Sequence, residues 1–153
     1  MKAQQSIELL IVFSTALAMF MLFYSIYTQQ YQQAMVAENQ AEWSLLADKL
    51  ADEINTAAFA GDGFERRIIY PSTLPGVINY TVLVNNVSGS IDVSVVPSQG
   101  ETYTYSAYLL TRNVSGESAF ATSRGFWIDA SRGYAYLANA NGTVVVTQLR
   151  ENR

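Results

Sequence analysis

The chain has 153 residues, half of them apolar and 14% charged, and its 9 basic against 13 acidic side chains leave a formal charge of -4. That length holds one domain and an appendage but hardly two independent cores, and without a run of Lys or Arg there is no electrostatic footing for nucleic acid. The absence of Cys and His removes disulfides, thiolate and imidazole metal sites and every nucleophile that depends on a His base, so neither metal nor cofactor is expected. Asp92, Glu101 and Asp129 are the kind of acids a glycosidase uses, but they lie in unrelated segments and read as solvated surface, and the chain is not expected to be an enzyme.

Leu9 to Tyr27 is an apolar run without a charge, long enough at about 1.5 Å per residue to cross a bilayer core of about 30 Å. It reads as a transmembrane helix. Lys2 is the one basic residue before it, which places the N-terminus in the cytoplasm and the rest of the chain outside. A secretory signal peptide cut after Ala16-Leu17-Ala18 is the competing reading, but the apolar run continues past Ala18 to Tyr27, where a mature N-terminus turns polar. Glu8 abuts the run, where a carboxylate costs up to about 2.5 to 3.5 kcal/mol at a membrane helix centre and less at the interface. It calls for a partner, or else it caps the helix N-terminus, where negative charge favours the macrodipole.

Gln4-Gln5-Ser6-Ile7-Glu8 followed by Leu9-Leu10 resembles the Q-x-S-x-E pattern of class III signal peptides in archaeal type IV pilin-like proteins. The resemblance implies a leader of residues 1–3 cut between Ala3 and Gln4 by a prepilin peptidase. The apolar helix is then kept, and Glu8 becomes the fifth mature residue, where pilins carry an acid. It also implies assembly residues Gln4 and Glu8: the freed amine of Gln4 would neutralise Glu8 of a neighbouring subunit in an apolar filament core.

Beyond Tyr27 the sequence turns polar, yet neither Pro nor Gly interrupts it before Gly61, and Ala, Gln, Glu, Leu and Met dominate, as a long helix prefers. The helix is expected over 4–61, apolar over 9–27 and amphipathic over 43–58. Trp43, Leu46, Leu50 and Ile54 recur at spacings of three, four and four and form the helix-packing stripe. Gly61-Asp62-Gly63 supplies the terminating glycine. Tyr24, Tyr27 and Tyr31 share a helix face and read as an interfacial aromatic belt.

From 62 to 153 the pattern is that of a β domain. Short alternating or β-branched runs predict strands over 77–84, 90–96, 102–110, 125–129, 134–138 and 143–148, separated by turn compositions such as Ser131-Arg132-Gly133 and Asn141-Gly142. The fold class is α+β: a long N-terminal helix, then a small antiparallel sheet or sandwich partly closed by the amphipathic half of the helix, since a small sheet alone has little core. Arg66 and Arg67 are expected at the helix C-terminus or beside acids.

Asn79, Asn86, Asn113 and Asn141 each begin an N-x-[ST] sequon. Asn86, Asn113 and Asn141 fall in or beside predicted turns, where a glycan could project, while Asn79 falls in a predicted strand. Tyr103 and Tyr105, and Tyr134 and Tyr136, keep the spacing that puts side chains on one sheet face, read as half-buried packing or, if exposed, as an adhesive surface.

The resemblance implies the structural subunit of an extracellular type IV pilus-like filament. The subunit would lie in the cytoplasmic membrane before assembly and be extracted by pilus assembly machinery. It would form a homopolymer through its N-terminal helices and serve adhesion. The alternative is a permanently membrane-anchored accessory or stator-like protein of archaeal motility machinery with an exterior β domain. A secreted hydrolase or sugar-binding domain has only the scattered acids and tyrosines in its favour.

Overall fold

The computed structural model of the chain describes residues 2–98, 100–117 and 120–148. Met1 of the expected leader and residues 149–153 of the expected β domain lie outside the described residues. The chain divides into two compact units, Met1–Glu38 and Asn39–Arg153, and one helix, α1 (Lys2–Ala60), contributes to both.

In the first unit α1 is the whole structure. In the second it is followed by β1 (Glu65–Ile69), β2 (Val77–Asn85), β3 (Ser90–Pro97), β4 (Tyr103–Tyr108) and β5 (Val114–Gly116), then β6 (Ala121–Thr122), β7 (Gly125–Ile128), β8 (Tyr134–Ala140) and β9 (Thr143–Thr147). The strands form two sheets, one in the order β1-β8-β9-β5 and one in the order β4-β3-β2-β7-β6. The fold is therefore α+β with two sheets packed against a long helix. The six strands expected from alternation correspond to β2, β3, β4, β7, β8 and β9. The other three escape that pattern: β1 opens on Glu65-Arg66-Arg67, and β5 and β6 have only three and two residues, too few to establish a period of two.

The sheets are antiparallel except where β5 lies parallel to β9, Val114 opposite Val144 and Gly116 opposite Val146. That pair brings the segment after β4 across to the other sheet. Gly116 makes the crossing possible, because a Cβ there would stand 2.2 Å from the Phe126 ring of β7. The β8–β9 hairpin turns through Asn141 and Gly142, both at positive φ, a conformation that Asn and Gly adopt at low cost.

One core joins all three layers. Trp43, Leu46, Leu50 and Ile54 of α1 are buried with Val82 and Val84 of β2, Ile91 and Val93 of β3, Leu137 of β8 and Val144 of β9. Fully burying aliphatic side chains of this size stabilises by roughly 1.5 to 3 kcal/mol each. α1 stops at Gly61 and Gly63, with φ of 82° and 84°, the left-handed conformation that ends helices.

Candidate functional site

In the first unit the helix surface from Leu9 to Tyr27 is mostly apolar side chain. Ile7, Leu9, Leu10, Ile11, Phe13, Phe20, Met21 and Phe23 are all exposed, and the most apolar 18-residue window buries nothing within the chain. By length and composition this helix is sufficient to cross a membrane. Two of its hydroxyls are bonded to the backbone. The Thr15 hydroxyl donates to the Ile11 carbonyl at 2.9 Å and the Thr28 hydroxyl to the Ser25 carbonyl at 2.9 Å, which spares a nonaqueous surround from unpaired donors. Phe20 stacks with Tyr24 at 6.4 Å between centroids, and Tyr27 with Tyr31 at 6.5 Å.

Gln4 and Glu8 are exposed on this helix, and Ala3 lies in its first turns. From Leu9 to Ala37 no charged residue follows, so Glu8 is the charge that abuts the apolar run from Leu9 to Tyr27.

In the second unit the stripe does a different job. Trp43, Leu46, Leu50 and Ile54 are 1 to 5% exposed and face the two sheets, so they hold the β domain to the helix. The Trp43 indole donates to the Pro75 carbonyl at 3.3 Å and packs on Tyr103 and Tyr105 at 6.2 and 6.4 Å. Arg66 pairs with Glu53 of α1 at 3.1 Å, and the Arg67 guanidinium lies 4.7 Å over the Tyr134 ring and 5.9 Å over Tyr136. Tyr105 is thus a half-buried packing residue, Tyr103 stays exposed while touching Trp43, and Tyr134 and Tyr136 lie half-buried on the outward face of their sheet.

Two buried asparagines, which sequence reasoning missed, complete the docking. The Asn55 carbonyl oxygen accepts from the Leu110 amide at 2.8 Å, and the Asn139 amide donates to the Ala57 carbonyl at 2.9 Å. The second bond satisfies a helix-terminal carbonyl that has no partner within the helix. A signal was present: Ala135, Leu137 and Asn139 are in phase on the buried face of β8, so a polar residue sits at a core position.

The scattered acids are not gathered into a site. Asp92 accepts from the Ser90 hydroxyl at 2.8 Å and the Asn85 amide at 3.2 Å, and Glu101 is exposed in a loop. Asp129 caps a short 3-10 helix, Ala130–Arg132. The Ser131 hydroxyl, the Ser131 amide and Arg132 hold the Asp129 carboxyl below its ordinary pKa against a smaller opposing effect of burial. Behind it, the Gln148 amide donates to the Tyr70 hydroxyl at 2.7 Å and the Asp129 carbonyl at 2.9 Å. Burial raises the Tyr70 hydroxyl's pKa well above the usual phenol and pushes Tyr80, which donates to the Pro71 carbonyl, up to about 12. This polar cluster ties the end of β9 to β8 and to the segment after β1.

Of the sequons, Asn79 is exposed on β2, Asn113 is exposed ahead of β5, and Asn141 is exposed at the hairpin tip. Asn86 is half-buried, its amide donating to the Val114 carbonyl at 2.8 Å.

No family model, curated protein or solved structure is significantly similar to the chain. The architecture stands on its own evidence: an N-terminal helix, apolar and exposed in its first unit, whose later part carries a two-sheet β domain, an arrangement that is pilin-like.

Proposed function

We propose that the chain is a structural subunit of an extracellular type IV pilus-like filament of the archaeal kind, assembled through its apolar N-terminal helix. The observation that carries this reading is the exposed apolar helix surface from Leu9 to Tyr27, free of charge and headed by the single carboxylate of Glu8. Such a surface is stable only in lipid or against other apolar surface. Cleavage between Ala3 and Gln4 by a prepilin peptidase frees an amine at Gln4. On this reading that amine pairs with Glu8 of a neighbour as the machinery moves subunits from membrane to filament, and the β domains face outward. Contact with surfaces then falls to outward residues such as Tyr134 and Tyr136.

The test is the N-terminal peptide of the native protein, read by mass spectrometry separately in sheared surface material and in membranes. A start at Gln4 in the sheared fraction is expected. A start at Met1, found in membranes alone, would replace the filament with the alternative, a permanently anchored accessory or stator-like protein, for which the same helix serves as the span.

A further inference from the structure

We infer that the β domain is a glycoprotein modified at Asn79, Asn113 and Asn141, and that the fold closes the fourth sequon, Asn86. The inference rests on the exterior placement of this domain in the reading above. The chemistry asks for an asparagine amide nitrogen that can reach a sugar and afterwards carry it into solvent. That nitrogen attacks C1 of a sugar held on a lipid-linked phosphate. The C1–N bond forms as the C1–O bond to phosphate breaks, the lipid phosphate leaves with the electron pair, and one amide proton passes to a base.

Three sequons meet this geometry, each for its own reason. Asn79 stands at a register irregularity in β2, between Val77 and Asn79. β7 pairs with β2 only from Val82 onward, so the flank of β2 beside Asn79 carries no partner strand among the described residues. Tyr80 points inward while Asn79 and Thr81 are both exposed, so the two sequon residues present together. Asn141 sits at the tip of the β8–β9 hairpin with φ of 54°, and its backbone amide is fixed by Asp62 at 2.7 Å, leaving its side chain outward. Asn113 lies exposed just before β5, held through its backbone by the Thr111 hydroxyl at 3.1 Å and the Val144 amide at 2.9 Å.

Asn86 differs at the reacting atom itself. Its amide nitrogen donates to the Val114 carbonyl, and its side-chain oxygen is buried, so the amide is enclosed on both sides. The rest of the sequon is occupied too: the Ser88 hydroxyl shares a hydrogen bond with Ser90 at 2.7 Å, and the Ser88 amide donates to Asn85 at 3.1 Å. A sugar on Asn86 would have to displace the contact with the first residue of β5. The native fold therefore opposes transfer after folding, and a sugar attached before folding would cost the fold that contact.

The experiment is glycopeptide mass spectrometry of the full-length protein from its native cells, paired with protease treatment of intact cells. Trypsin leaves Asn79 and Asn86 in one peptide, because no Lys or Arg lies between Arg67 and Arg112; a chymotryptic digest cutting after Tyr80 separates them. Expected are sugar masses on the Asn79, Asn113 and Asn141 peptides and a bare Asn86. Asn79→Gln, Asn113→Gln and Asn141→Gln each remove one glycan mass from the intact protein, and Asn86→Gln removes none. A glycan on Asn86, or a bare amide at any of the other three, overturns the assignment at that position. If all are bare while external protease cuts the domain, the inference falls and the filament reading survives. If protease cannot reach the domain, both fall.

Discussion

Tyr70 and Tyr80 show how a single side chain can carry a condition-dependent part of stability. Both hydroxyls are buried and donate to backbone carbonyls, Tyr80 to Pro71 and Tyr70 to Tyr134 at 3.0 Å. Burial raises both pKa values, so the folded state holds the neutral phenol more tightly than the unfolded chain does. The sign follows from linkage. Their contribution is complete below the ordinary phenol pKa of about 10 and is lost as pH rises from there through the folded value, about 12 for Tyr80. An alkaline titration followed by phenolate absorbance is expected to show the exposed tyrosines ionising first, with Tyr70 and Tyr80 ionising only as the β domain unfolds. Tyr80→Phe is expected to weaken the domain at neutral pH through the lost bond to Pro71, yet to blunt the alkaline loss. Smooth ionisation of all the tyrosines with the fold intact would contradict the buried network. The Tyr70 part of this network was not legible in the sequence, because Tyr70 meets Gln148 and Tyr134 across more than sixty residues of chain, and no local pattern marks such a meeting.

At the scale of elements, the junction between α1 and the sheets is where pattern reading succeeded and where it stopped. The stripe from Trp43 to Ile54 was readable because apolar residues at helical spacing have one economical use, and alternation exposed the six longer strands in the same way. The parallel β5–β9 pair was not readable, since three residues carry no period and a parallel partner is set by the crossing of the chain, not by a hairpin turn. Of the expected sequon sites, accessibility at Asn86 was equally hidden, because the Val114 carbonyl that engages it lies on another strand. Asn139 illustrates the intermediate case: its phase on β8 marks it as buried, while its partner, the end of α1, emerges only from the fold. Asn139→Ala is expected to cost about 1 to 3 kcal/mol, the penalty of leaving a buried helix-terminal carbonyl without its donor. In detergent-solubilised full chain, amide hydrogen exchange should rise first in the last turns of α1 and in β8. A loss spread evenly over the domain, or no loss at all, would mean that Asn139 does not anchor the helix end.

Across the whole molecule the physical division of labour lies between a unit that buries no side chain among its described residues and a unit with a core shared by the helix and two sheets. The second unit buries the Trp43 to Ile54 stripe of α1 against two sheets, whereas the first leaves its own apolar surface for a membrane or for other copies of the chain. Apolar packing alone is non-directional, so a filament built from such helices needs something to fix how far one slides past the next. Glu8 is placed to supply this, because its charge abuts the N-terminal edge of the apolar run. In a dehydrated filament core its carboxylate would be costly unless a cation met it. On the filament reading, Glu8→Ala therefore leaves insertion intact, since removing a charge only eases entry into lipid, but abolishes the register on which extraction and growth depend. The expected result is a variant recovered in membranes in wild-type amount, cleaved at the same position, and missing from the sheared surface fraction. Glu8→Gln, which keeps the shape and loses the charge, should behave the same way, and Glu8→Asp should retain part of the yield. Normal filaments from Glu8→Ala would remove charge pairing as the device of assembly and leave Glu8 a cap on the helix N-terminus. Filaments from Glu8→Gln but not from Glu8→Ala would assign the register to hydrogen bonding by the side chain, with its charge dispensable.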